Sequence, residues 1–129
     1  MPHEVWLSRH MGVEVGRLQR LVNALPEVER KTSTNYDSFS VHGRKFGYLW
    51  PRTRTVGLKQ TISEQLALVA ERPEVFEVQF THAGFGWVVV YLDGIELDEL
   101  SELVLEAWRL SAPEQLLVEL PTPADLVEA

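Results

Sequence analysis

Six consecutive apolar residues, Trp87-Val88-Val89-Val90-Tyr91-Leu92, constrain the fold more than any other stretch of the chain. The run is far short of the ~20 residues a membrane helix needs. Adjacent valines restrict side-chain rotation in a helix and pack well on a pleated surface, so the run reads as a strand. Because it is apolar on both sides, it is placed centrally in a sheet. Just upstream, Phe76, Val78 and Phe80 alternate with Glu77, Gln79 and Thr81, the pattern of a strand with one wet face. A loop at Gly84-Phe85-Gly86 joins the two segments, which are expected to pair as adjacent antiparallel strands. Downstream, Leu97, Leu100, Leu103, Val104, Ala107 and Leu110 recur at helical spacing, predicting an amphipathic helix over Leu97–Leu110 that covers them.

The rest of the chain fits around this unit. Residues 1–12 show no period and read as an N-terminal extension. Val13, Val15, Leu18, Leu21, Val22 and Leu25 form one helical face that Pro26 ends. Phe39 and Val41, a turn at His42-Gly43, and the alternating Phe46, Tyr48 and Trp50 predict a β-hairpin. Thr55–Lys59 follows as a short strand, and Thr61 three residues before Glu64 has the spacing of a helix N-cap. The helix it opens stops at Arg72-Pro73. After Pro113, Gln115–Leu120 is expected to cap the core. Residues 121–129 read as a loose tail.

Strands clustered between helices indicate an α+β fold, with an antiparallel sheet and helices on one face. One domain spans residues 13–120. The expected core is Leu18, Leu21, Val22, Phe39, Val41, Tyr48, Val56, Leu66, Val69, Phe76, Val78, Phe80, Val88, Val90, Leu100, Leu103, Val104 and Ala107.

The chain has 129 residues and no cysteine, which excludes a disulfide framework, thiolate catalysis and any cysteine-ligated metal. His3, Glu4 and His10 lack the i, i+4 histidine pair of a metalloprotease helix, and His42 and His82 fall in separate turns. No metal or organic cofactor is expected. Neither a Gly-x-Ser-x-Gly elbow nor a phosphate-binding loop is present, so no catalytic residue is assigned. With no basic-then-apolar leader, the expected compartment is cytoplasmic, with no membrane contact.

Order and spacing of several short motifs carry a family resemblance. They are Leu25-Pro26-Glu27-Val28-Glu29, the run Phe39-Ser40-Val41-His42-Gly43-Arg44-Lys45-Phe46-Gly47-Tyr48-Leu49, Leu58-Lys59, Gly86-Trp87-Val88-Val89-Val90 and Trp108-Arg109-Leu110-Ser111-Ala112-Pro113. Together they resemble the YjbR/MmcQ family of small bacterial proteins. That resemblance implies an α+β domain similar to bacterial frataxin and a suggested DNA-binding double wing built on its hairpins. The chain departs from the family after Ala112-Pro113, where Glu114-Gln115 stand in place of basic residues. A nucleic-acid surface is therefore not expected to extend onto the C-terminal helices.

Charge is divided along the chain: residues 1–60 sum to +5 and residues 61–129 to −12. From Ser38 to Ser63 there is no acid, while Arg44, Lys45, Arg52, Arg54 and Lys59 are interleaved with Phe46, Tyr48 and Trp50. Two readings follow. Alternation could send the aromatics into the core and leave a plain basic strand surface. Alternatively, the cations contact phosphates and the aromatics stack on bases, making a small module that binds DNA or another nucleic acid, nonspecifically or with modest preference. A protein partner on the acidic helix Leu97–Leu110 and an unrecognised enzyme are the alternatives. Asp93, Glu96, Asp98, Glu99, Glu102 and Glu106 resemble the iron-binding ridge of frataxin-like folds, but carboxylates at a helix start also favour its dipole without any metal.

Overall fold

Two tight turns generate most of the sheet. His42 and Gly43 both take positive φ (47° and 78°), as do Ala83 and Gly84 (52° and 84°), giving two-residue turns whose twist matches that of the flanking strands. The first joins β2 (Asp37–Val41) to β3 (Arg44–Trp50), and the second joins β5 (Phe76–His82) to β6 (Phe85–Tyr91). Phe85 and Gly86 thus belong to β6 and not to the loop expected there. The computed structural model describes residues 12–128, so the expected extension at 1–12 lies, apart from Gly12, outside the described residues.

Around these hairpins run α1 (Val15–Asn23), β1 (Val28–Thr32), β4 (Thr55–Thr61), α2 (Ile62–Glu71), α3 (Leu97–Arg109) and α4 (Pro123–Val127). The sheet is antiparallel throughout, in the order β1-β2-β3-β4-β6-β5. β5 and β6 pair as the alternation predicts, and β6 lies inside the sheet. Thr61 Oγ1 accepts the Glu64 backbone N–H at 3.1 Å and caps α2, in agreement with the sequence spacing.

All the described helices lie on one face. Gln60 and Gly86 are register partners and therefore point the same way. Gln60 Nε2 donates to Leu103 O of α3 at 3.1 Å, while the space a Gly86 Cβ would take is filled by Gln65 of α2. Gln65 Nε2 in turn donates to the carbonyls of Phe80 (3.0 Å) and Trp87 (2.9 Å), which ties α2 to the β5–β6 hairpin. α1 and α4 join the same layer, with Leu18, Leu21, Val22 and Leu126 buried beside Leu100, Val104 and Trp108. Trp108 satisfies its indole N–H on Pro26 O at 3.0 Å.

Several expectations need correction. α3 packs mainly on β4, and α2 is the helix that covers β5 and β6. β1 carries Glu29, Arg30 and Lys31 on an exposed edge, so it lacks the apolar alternation that would reveal it. Within the expected loose tail at 121–129, Pro123–Val127 form α4: Thr122 and Asp125 make a reciprocal capping box, and the helix buries Leu126. Of the expected core, Leu66, Val78 and Phe80 are exposed, and Tyr48 and Val69 are half-buried. In α2 the inward position belongs to Gln65, which leaves Leu66 in solvent.

Candidate functional site

Two irregularities decide which side chains reach the uncovered face of the sheet. Between β2 and β3 the register shifts at Phe39/Ser40, so Phe46 and Gly47 together oppose one residue. A bulge of this kind turns both residues toward the same side. Phe46 drops into the core against Phe39 (ring centroids 6.2 Å apart), and Gly47 leaves room for Phe39 and Leu58. Between β5 and β6 the register shifts between Val78 and Phe80. Phe80 then faces Trp87 on the open side at 5.3 Å, and Gln79 folds over bare Gly57.

The result is a continuous aromatic surface on the face that carries none of the described helices. Tyr48 contacts Tyr36 edge-on at 6.0 Å, stacks on Trp50 at 6.1 Å and meets Trp87 at 5.5 Å. Trp87 is its floor, only 5% exposed, whereas Tyr36 and Phe80 are 36% and 40% exposed. The apolar two-sidedness of β6 thus has two causes: Val88 and Val90 face the helices, and Trp87 lies beneath its aromatic neighbours. Of the two readings of the aromatics, burial in the core applies to Phe46. Tyr48 and Trp50 stay on the open side.

Cations gather at one end of this surface. Arg44, Lys45 and Lys59 line a recess of about 390 Å³ together with Tyr48, Phe80, His82, Phe85 and Trp87, and among the described residues no acid lines it. Lys59 Nζ donates to Ser111 Oγ at 3.1 Å and lies 4.1 Å from the Phe85 ring centroid. Lys45 Nζ lies 5.5 Å from that of Tyr48. Burial, and after it the neighbouring Arg44 cation, hold the Lys59 ammonium below its ordinary pKa. Among the described residues, none of these three cations is in an ion pair.

The other two sequence-predicted cations do not join them. Arg52 lines a second recess, of about 670 Å³, between the loop following β1 and the loop following β3. Arg54 is bound by Asp93 at 2.6 Å. Three of the six acids of the candidate iron ridge are similarly occupied: besides Asp93, Glu99 pairs with Arg72 and Glu106 with Arg109. Among the described residues, no three His, Asp or Glu side chains converge as a metal site. No described helix is long and apolar enough to cross a membrane.

Tyr36, Gln79, Phe80, His82 and Trp87 are site residues that sequence reasoning missed. Phe80 and Gln79 were hidden by the bulge, which alternation cannot reveal. Trp87 was read only as part of an apolar run.

A family model for YjbR matches residues 23–110. Uncharacterized proteins of Mycobacterium tuberculosis (Rv2570) and Mycobacterium bovis (Mb2600) are each 40% identical over 53 residues. That stretch is 41% of this chain and 41% of each relative, so the match spans about two fifths of the relatives' length. The crystal structure of Deinococcus radiodurans protein DR2400, with family-model domain DUF419, superimposes with a TM-score of 0.68 at 20% identity. The alignment covers 92% of this chain and 88% of that one, which establishes the shared fold. With the family model covering well over half of its length, the chain belongs to the YjbR family.

Proposed function

We propose that this YjbR-family chain is a binding module for single-stranded nucleic acid, which it holds across the open face of the sheet. One observation carries the reading: the face free of the described helices presents linked aromatic rings that run directly into a recess lined by Arg44, Lys45 and Lys59. Exposed rings on a flat sheet stack on bases of any sequence, and uncompensated cations beside them take the phosphates. The polarity of the molecule supports the same geometry. The acidic helix α3 lies behind the sheet, on the side away from the aromatic face, so its repulsion of a polyanion is at its weakest there.

In this proposal Tyr48, Trp50 and Phe80 stack, and Trp87 supports them. Arg44, Lys45 and Lys59 contact phosphate. Arg52 extends the contact at the far end, and Arg54 contributes least because Asp93 already neutralises it. The test is fluorescence anisotropy with labelled single strands and duplexes of equal length over a salt series. Three phosphate contacts on a single strand give a log–log slope of roughly −2. No retention of any single strand at low ionic strength would sink the proposal. A clear preference for duplex would move the contact to the two hairpin loops around Arg52, as the double wing of the resembling family implies.

A further inference from the structure

The lysines of the chain are Lys31, Lys45 and Lys59, and of these the first two are exposed while Lys59 is half-buried in the cationic recess. We propose that Lys59 forms an imine with the aldehyde of an abasic sugar in a bound single strand, so that the module captures strands that have lost a base; this rests on the single-strand reading above. Three observations carry it.

The first is where the amine lies. Lys59 is the register partner of Trp87 and therefore projects onto the open face. Tyr48 and Phe80, two of the stacking rings, line the same recess. A base stacked on either ring leaves the adjoining sugar beside the amine.

The second is what surrounds the nitrogen. An amine attacks a carbonyl only as the free base, and a carboxylate partner would hold the proton in place. Lys59 has none: Nζ donates to the neutral hydroxyl of Ser111 at 3.1 Å, and among the described residues no acid lines the recess or pairs with it. Ser111 is itself fully buried, which anchors the contact. Burial of Lys59 and, after it, the Arg44 cation both work against the charged form. A lysine sheltered from water and placed next to another cation is the kind that forms Schiff bases.

The third is the charge left over. Arg44 and Lys45 line the recess too, so two cations remain for the phosphates on either side of the sugar once Lys59 has reacted. The step needs no oxidant or reductant. The Nζ lone pair attacks the aldehyde carbon of the ring-opened sugar and the carbonyl oxygen takes up a proton. That oxygen then leaves as water, and a carbon–nitrogen double bond replaces the carbon–oxygen bond. An intact nucleotide carries no aldehyde, and Lys59 meets its phosphate instead.

The probe is a single strand containing one abasic site, mixed at saturating concentration with the whole protein and borohydride, which reduces an imine to a stable secondary amine. Peptide mass spectrometry is expected to place the adduct on Lys59, formed at least about tenfold faster than on Lys31 or Lys45. Lys59→Arg is expected to cut adduct formation by about tenfold or more with the melting temperature unchanged. The trapping rate should climb with pH as the amine loses its proton and level off below the 10.5 of an ordinary lysine. Arg44, Lys45 and His82 are the other charged or titratable groups facing that recess. An adduct formed as fast on Lys31, Lys45 or the α-amino group overturns the proposal. So does equally fast trapping of a free deoxyribose phosphate, which would make the ligand a small sugar phosphate. If abasic and intact strands bind but no adduct forms, the imine falls and the single-strand reading stands. If no strand binds, both fall.

Discussion

The two faces of the sheet use aromatic residues in opposite ways. On the helix side, Phe39, Phe46, Phe76 and Trp108 are wholly or almost wholly buried, and Trp108 spends its one polar group on a backbone carbonyl. On the open side, Tyr36, Tyr48, Trp50 and Phe80 belong to one aromatic cluster yet keep part of each ring in water. Rings of one kind hold the fold together, whereas rings of the other are available to a ligand. What separates them is not composition but which side of a pleat each residue occupies.

Truncation on each side tests that division. Trp108→Ala is expected to cost about 3–5 kcal/mol in denaturant unfolding, with single-strand affinity of the folded protein unchanged. Trp50→Ala should do the reverse, weakening single-strand binding about tenfold while costing about 1 kcal/mol or less of stability. If Trp50→Ala destabilises as much as Trp108→Ala, the open face is a second core and the comparison collapses.

Charge sharpens the same contrast with smaller effects. Lys59→Gln should make the log–log salt slope shallower by about 0.7. The lowered pKa of Lys59 gives this contact a pH signature. The ammonium loses its proton as pH climbs through that lowered value, so the contact is intact well below it and fades before the 10.5 of an ordinary lysine. Arg44, Lys45 and His82 line the same recess, and Lys59→Arg should remove the alkaline loss by keeping a charge there. The smallest effect is expected at Arg54. Arg54→Gln removes an exposed ion pair worth about 0–1 kcal/mol and should leave affinity almost unchanged. A tenfold loss of binding in Arg54→Gln would relocate the interface to the loop after β3.

Much of the fold was legible because strong local signals agreed with it. His42-Gly43 marked a hairpin, Thr61 marked the start of α2, and the Phe76–Phe80 alternation marked a strand with one wet face beside β6. β1 was not legible, because five residues that pair on one edge and face solvent carry no apolar period. The candidate site was legible only in part. Arg44, Lys45 and Lys59 stood out as cations in an acid-free stretch, but their separation from Arg52 and Arg54 depends on where β3 turns. Phe80 alternates in sequence as though it were buried. One unpaired residue, Gln79, puts it on the opposite side, and no periodicity records an insertion of that kind.

The contact between α1 and α4 bears on how the chain folds. Arg17 donates to the carbonyl of Val127, 110 residues away, and Leu126 seats in the same layer. The hairpins join near neighbours, whereas this contact closes a loop almost as long as the chain, and a closure of that kind carries its entropy loss before any contact repays it. The helical layer is therefore expected to seal last, after the rate-limiting barrier has been crossed. Stopped-flow kinetics of Leu126→Ala would then register faster unfolding with refolding nearly unaltered. Slower refolding would mean that this clasp forms early and guides the sheet into place.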